Sequence, residues 1–341
     1  MGDPRQTAPQ HLVDVSVIFA TRDRATQLRQ TLDSYRRLNT DGIRWELIVV
    51  DNNSDDDTAA ILEHARSDLP LIPLFAADGG QNRARNTALP HLNGELIIFT
   101  DDDAVPNREY LQAYASAAAR WPHEAVFGAR IEPRFPDNTP NWMQSPAFRF
   151  SSTAFARYAP ASKEGRVRRH PYGPSFAVRR SALGQHCFPN HLGPQGGSYA
   201  MGGEGHLLRR LRADGWSFIY VPSACVEHVI RPDQITTEWL LARANKKGRG
   251  QVYLPNTRKP RKFFVRGISV KLWLATARAA LRYRVARLIC KPRVYTEQGI
   301  QYQLRLGQIQ EMLARRRRGS DGPDDPTRPA TARQRSPNHV E

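Results

Sequence analysis

Cysteine is scarce in this chain: Cys187, Cys225 and Cys290 are odd in number and far apart, so neither a disulfide framework nor a CxxC metal site is suggested. The start, Met1 to Gln10, is polar and has no apolar h-region, so no secretory signal is expected and a reducing, cytoplasmic setting is. Long apolar runs are missing too. The most apolar part of the C-terminal region, from Lys262 to Pro292, is broken by Arg266, Lys271, Arg278, Arg282, Arg284 and Arg287. It therefore offers no stretch of the roughly 18 uncharged residues that a transmembrane helix needs. Internal repeats are absent as well.

Positive charge, by contrast, is abundant, with a net +17 over 341 residues, and it is unevenly placed. Residues 1–240 hold 26 lysines and arginines against 27 acidic residues, whereas residues 241–341 hold 24 against 6. The chain is thus a near-neutral globular part followed by a basic one, long enough for a large α/β domain plus an extension. A nucleic-acid binder would use the basic part and bind in a salt-dependent way, but it leaves the acidic clusters of the first part unexplained. Nucleic acid is therefore an unlikely partner.

Hydrophobic patterning places strands at Val13–Ala20, Trp45–Val50, Leu71–Phe75 and Glu95–Thr100. Helices fall between them: Leu28, Leu32 and Tyr35 share one face, Ala59–Ala65 forms a short helix, and Gln81–Leu89 another. Strands alternating with helices predict a Rossmann-like, mostly parallel sheet covered on both faces. Val126–Ile131, Phe176–Val178, Phe218–Val221 and Cys225–Ile230 read as further strands, and Gly202–Asp214 as a Gly-rich turn entering a helix. The stretch from Pro133 to Pro171, rich in proline and aromatics, reads as a long functional loop.

Polar clusters fall at the strand ends, where open α/β sheets bind their ligands. Asp101, Asp102 and Asp103 directly follow the apolar run ending in Phe99. Like charges this close repel, and a divalent cation or a basic partner offsets the cost. The same triplet also suits a solvated loop that caps the helix after Pro106.

Four pieces occur in order: Thr21-Arg22-Asp23-Arg24, Val50-Asp51-Asn52-Asn53-Ser54-Asp55-Asp56, Gly79-Gly80-Gln81-Asn82-Arg83-Ala84-Arg85-Asn86, and Phe99-Thr100-Asp101-Asp102-Asp103. Over roughly residues 13–245 this resembles the family 2 glycosyltransferases of the GT-A fold. The resemblance extends to Gly202-Gly203-Glu204-Gly205-His206-Leu207-Leu208, with Glu204-Gly205 standing where the family commonly has Glu-Asp.

The resemblance implies an inverting glycosyltransferase that moves a sugar from a nucleotide-sugar donor to a hydroxyl of a glycan or lipid-linked acceptor, with Mg²⁺ or Mn²⁺ as cofactor. Bacterial cell-envelope polysaccharide or glycolipid synthesis is the expected setting. On this reading Thr21, Asp23, Asp51, Asn53, Arg83, Arg85, Asn86, Asp101 and Asp102 form the nucleotide-sugar site. Asp23 and Asp51 accept hydrogen bonds from base and ribose, and Arg83 and Arg85 offer charge to the diphosphate beside a helix N-terminus. Asp101 contacts the ribose or a metal-bound water, Asp103 binds the metal, and His228 completes its shell. Glu204 is the candidate general base, with His206 the alternative if Glu204 only orients the acceptor. Trp142, within the aromatic stretch to Tyr158, and Gly203 are assigned to the acceptor.

The expected organisation is a disordered N-terminus over residues 1–12, a catalytic domain over 13–245, a basic amphipathic helical extension over 246–313 and a disordered tail over 314–341. The extension suits an anionic membrane surface, which would make the protein peripheral on the inner face of the plasma membrane, or it packs back on the domain. Two other classes compete. A metal-dependent nucleotidyltransferase would carry a Gly-rich, basic loop where this chain has Thr21-Arg22-Asp23-Arg24, and a catalytically inactive GT-A-fold binding protein would fit Gly205 beside Glu204.

Overall fold

The structure, a computed structural model, describes residues 13–145, 147–195, 199–254 and 264–318. The chain divides into two compact units, Met1–Leu240 and Leu241–Glu341. The first is built on strands β1 (Val13–Thr21), β2 (Trp45–Asp51), β3 (Leu71–Phe75), β4 (Gly94–Thr100), β5 (Ala104–Pro106), β6 (Val126–Arg134), β7 (Gly165–Val167), β8 (Ser175–Arg179) and β9 (Phe218–Val229). Its helices are α1 (Ala25–Arg36), α2 (Thr58–Ala65), α3 (Gln81–Ala88), α4 (Tyr110–Arg120), the single turns α5 (Asn141–Gln144), α6 (Ser151–Ala154) and α7 (Arg180–Leu183), and α8 (Gly203–Ala213).

The nine strands form one sheet in the order β3-β2-β1-β4-β8-β6-β9-β5, with β7 on β9. β3, β2, β1 and β4 are mutually parallel, as their continuous apolar runs predict for strands buried on both faces. One core layer takes Val15, Val17, Phe19, Leu28, Leu32 and Tyr35, and the opposite layer takes Ile18, Ile48, Val50, Phe99, Leu207 and Leu211. β8 breaks the parallel pattern by running antiparallel between β4 and β6.

β9 is one strand where the sequence suggests two. It runs parallel to β6 across a bulge at Ala129/Arg130, skipping from Val221 to Cys225. Beyond the bulge β9 pairs antiparallel with the short β5, which sets His228 opposite Ala104. The 133–171 segment is only partly loop-like: Phe148, Phe155 and Tyr158 are fully buried.

The second unit holds most of α9 (Thr237–Gln251), the small hairpin of β10 (Phe264–Val265) and β11 (Ile268–Ser269), and the helices α10 (Val270–Ile289) and α11 (Pro292–Arg317). α9 and α11 approach closely enough that a Cβ on Gly248 would lie 2.0 Å from the Leu304 carbonyl oxygen. Asn245 donates to the Gln303 and Gln310 side chains at 3.0 Å, and Tyr253 donates to Glu311 at 2.7 Å. The expected disorder from residue 314 does not hold through Arg317, which completes α11; the rest of that tail from residue 319, and residues 1–12, lie outside the described residues. No helix among the described residues is long and apolar enough to cross a membrane.

Candidate active site

The site lies where β1, β2 and β4 end. Parallel registry sets Thr21 opposite Asp51 and Ile18 opposite Phe99, so the segments after these strands emerge side by side. Thr21 Oγ1 donates to Asp102 at 2.8 Å, and Arg24 Nη1 donates to the other Asp102 oxygen at 2.6 Å. Thr31 Oγ1 donates to the Asp102 carbonyl at 2.6 Å. The middle aspartate therefore points into the protein and ties β4 to α1. Burial raises its pKa above the ordinary carboxylate value despite Arg24 and Thr21.

Its neighbours face a different way. Asp101 accepts from Arg85 Nη2 at 2.6 Å, while Arg85 Nη1 donates to Glu204 Oε1 at 2.7 Å. Arg85 is 0% exposed, lies over the Phe188 ring at 5.4 Å, and its Nε has no hydrogen-bond partner among the described residues. One guanidinium thus holds a carboxylate from the end of β4 and another from the first turn of α8. Gln81 adds a bond to Asp101 at 3.2 Å. Burial pushes the Asp101 pKa up to about 6: Arg85 opposes the shift, and Asp103 and Glu204 add to it.

Asp103 meets cations instead. His228 Nε2 lies 3.5 Å from Oδ1, and Arg24 Nη1 and Arg231 Nη1 lie 3.3 and 3.6 Å from Oδ2. Burial alone would raise this carboxylate, yet His228, Arg24 and Arg231 bring it down to about 2. The β5–β9 pairing delivers His228, and the Val229 N–H donates to the Asp103 carbonyl at 2.8 Å. His228 Nδ1 donates to the Phe155 carbonyl at 3.0 Å, which leaves Nε2 aimed at Asp103. Burial lowers the His228 pKa, but Asp103 outweighs it and the net shift is upward.

Several sequence-assigned residues prove to be packing and positioning groups. Arg85 is enclosed between carboxylates, with no face left for a diphosphate. Asn86 exchanges hydrogen bonds with Phe188 and donates to Asn190, and the buried Asn82 donates to the Pro189 and Leu192 carbonyls. The Gln81–Asn86 motif therefore clamps the 188–194 segment onto α3. Gly203 opens α8 against Asn82, where an added Cβ would sit 2.2 Å from Asn82 Nδ2, so close approach of α3 and α8 explains this glycine. Thr21, 2% exposed, is committed to Asp102.

Asp51 is buried and accepts the Ser54 N–H at 2.9 Å. Asp23 and Asn53 occupy left-handed turns, with φ of 50° and 60°, at the tips of the first two strand ends. Asp23 accepts from the Asp55 N–H at 2.8 Å, joining those two loops. Arg83 is exposed and lines a cavity of about 710 Å³ with Phe75, Asp78, Asn86 and Asn190. Trp142 is half-buried, edge-on to Phe148 at 5.1 Å, while Phe148, Phe155 and Tyr158 belong to the interior and offer no platform. His206 has Arg209, Arg210 and His191 for neighbours, and burial first, then those charges, pushes its pKa down to about 4. At that value its basicity is close to that of an ordinary carboxylate, so basicity alone does not choose between His206 and Glu204.

Sequence reasoning missed Arg24 and Arg231 as site cations. Arg24 stood inside the quoted turn, and the one available signal for Arg231 is its place three residues after His228.

A family model described as glycosyl transferase family 2 matches residues 16–187. The succinoglycan biosynthesis protein ExoM of Rhizobium meliloti is 25% identical over 231 residues, 66% of this chain and 70% of that protein. Glycosyltransferase AglE of Haloferax volcanii is 24% identical over 241 residues, 70% of this chain and 73% of its own. The fold resembles that of the mannosyltransferase PcManGT from Pyrobaculum calidifontis, solved in complex with GDP-Man and Mn²⁺. Its TM-score is 0.55 at 21% identity, over 92% of this chain and 91% of that one. The family match spans β1 through α7 and includes Arg85 and the aspartate triplet, and the chain belongs to glycosyl transferase family 2.

Proposed function

We propose that the chain moves a sugar from a nucleotide-sugar donor to a hydroxyl of a glycan or lipid-linked acceptor, with inversion at the anomeric carbon. The observation that carries this reading is the arrangement around Asp101–Asp103. A buried arginine fixes Glu204 beside the strand end that also presents Asp103 to His228.

A divalent cation, Mg²⁺ or Mn²⁺, fits Asp103 and His228. The imidazole tautomer is set by Phe155, so nitrogen and carboxylate ligands face each other, a mixed donor set that suits Mn²⁺ better than the oxygen-seeking Mg²⁺. Among the described residues no group of three or more His, Cys, Asp or Glu side chains is placed to hold a metal. Two protein ligands suit an ion that also takes phosphate oxygens from its substrate. When bound, the cation neutralises charge on the departing nucleoside diphosphate.

The chain's own groups supply the rest. Arg24 and Arg231 carry positive charge to the same place, and Asp23, Asp51 and Asn53 line the turns available to base and ribose. Glu204 takes the proton from the acceptor hydroxyl as that oxygen attacks, held in place by Arg85 so that one rotamer is used. Trp142, half-buried where the other aromatics of its segment are interior, is the acceptor contact. An acceptor in envelope polysaccharide or glycolipid synthesis, met at the cytoplasmic face of the membrane, suits the basic second unit, and the ExoM relative is named for succinoglycan biosynthesis.

Thermal unfolding against UDP-, GDP-, dTDP- and CMP-sugars, each with and without Mn²⁺, tests the reading. One nucleotide should raise the midpoint only with metal, and Asp103→Asn should lose that shift. Silence from every donor in the wild-type protein would instead favour an inactive fold.

A further inference from the structure

α10 presents an uncovered face. Thr276, Ala279 and Ala286 are buried, whereas Leu274, Leu281 and Leu288 on the opposite side are 52%, 64% and 85% exposed. Leucines repeating every seven residues lie within about 40° of one another around a helix, and Val285, also exposed, falls beside them. Ile289 sits at the edge of the same stripe, 76% exposed. Such a contiguous apolar stripe on the surface marks an interaction site rather than scattered exposure.

Its flanks select the partner. Lys271, Arg278 and Arg282 border the leucine line on one side and Arg284 on the other, all of them exposed. α10 contains no acidic residue, and the nearby acids of α11 are engaged: Glu297 pairs with Arg293, and Glu311 with Arg249. Leucines flanked by long basic side chains match an anionic lipid surface, where the apolar stripe enters the acyl boundary and the charged groups reach back to the phosphates. A second copy of this face would bring like-charged flanks together, and a spanning role is excluded for this helix by its charges.

We propose that α10 lies in the headgroup region of an anionic membrane, with Leu274, Leu281, Val285 and Leu288 inserted and Lys271, Arg278, Arg282 and Arg284 on lipid phosphates. This deepens the lipid-linked or envelope setting proposed above, but it depends on no step of the transfer chemistry. Asp103→Asn should therefore bind vesicles like the wild type while losing donor binding, which separates failure of one reading from failure of the other.

Full-length protein sedimented with vesicles of phosphatidylcholine, alone or with one-third phosphatidylglycerol, provides the test. The protein should follow the anionic vesicles only, and less so as salt rises. Leu281→Asp combined with Leu288→Asp should weaken partitioning by at least about tenfold, with circular dichroism and light scattering unchanged. Arg278→Gln, Arg282→Gln and Arg284→Gln together should abolish the preference for anionic lipid. Equal sedimentation of the leucine double variant and the wild type would overturn the proposal, as would absence of vesicle binding. So would a wild-type dimer that the double variant converts to monomer, since the stripe would then be a self-association face.

Discussion

Asp101 and Asp103 stand two residues apart at the end of one strand, yet their environments drive them in opposite directions. Burial penalises both charges. Asp101 bonds to one buried cation, Arg85, which it shares with Glu204, and its pKa rises to about 6; Asp103 faces His228, Arg24 and Arg231, and its pKa falls to about 2. One half of the site thus sets a single buried guanidinium between two carboxylates and reads as scaffold, while the other sets Asp103 among His228, Arg24 and Arg231, whose charges are shared with Asp102 and Asp233. The difference arises from topology: Arg85 comes from α3 beneath the strand ends, and His228 and Arg231 come from β9 and the chain that follows it.

The sharpest way to break this contrast is on the Asp103 side. Asp103→Asn keeps the shape but removes the charge, and the proposed metal site should lose about 10³-fold or more in turnover, a few kcal/mol of transition-state stabilisation. Turnover of a confirmed donor by this variant within a few-fold of wild type would end the metal assignment. On the other side, Glu204→Gln should lower kcat by about 10²–10³ while donor affinity stays near wild type, because a general base acts on the acceptor proton and not on the nucleotide. An equal loss of donor affinity would recast Glu204 as a structural partner of Arg85.

Arg85→Met probes the scaffold itself. Removing the guanidinium leaves Asp101 and Glu204 facing each other without their cation, and breaking a buried pair in this way costs about 3–5 kcal/mol. Urea unfolding should show that loss, whereas an exposed diphosphate ligand would cost little stability and much donor affinity. Gly203→Ala is the milder probe of the same region. Its Cβ would press into Asn82, and overpacking of this kind costs about 1–3 kcal/mol, read as a lower urea midpoint at unchanged slope.

How much of this was legible beforehand follows from what each residue's role depends on. The strands β1 to β4 and helices α1 to α3 were readable because burial on both faces writes continuous apolar runs and one-sided burial writes a helical period. β8 was readable as a strand but not in its direction, which local sequence does not encode. The β5–β9 pairing could not be seen at all: a three-residue strand has no period, and β9 looked like two strands because its bulge consumes Val221 to Cys225. The motif around Arg85 stood out as a unit, but charge alone does not say whether an arginine faces a ligand or two carboxylates. That choice is made by contacts 16 and 119 residues away along the chain. Gly203 likewise betrays its reason only through Asn82, and the aromatics from Phe148 to Tyr158 needed the sheet in place before interior could be told from surface.

The smallest expected effect concerns His206, the alternative base. Its folded-state pKa of about 4 lies below the ordinary 6.5, so between those values the unfolded chain holds a proton there that the native state refuses. Stability contributed by the neutral ring is present above about pH 6.5 and drains away as the pH falls towards 4. His206→Gln removes that term, so its midpoint of thermal unfolding should fall less than that of the wild type between pH 7 and about pH 5. The quantity to compare is the difference between the two proteins, because other groups titrating in the window are common to both. Its size should be modest, since the ring is half-buried and beside Arg209 and Arg210, whose charge water partly screens. If both proteins lost stability in parallel, the ring would be protonating freely in the folded state near the ordinary imidazole value, and His206 would be a stronger base than the Glu204 carboxylate.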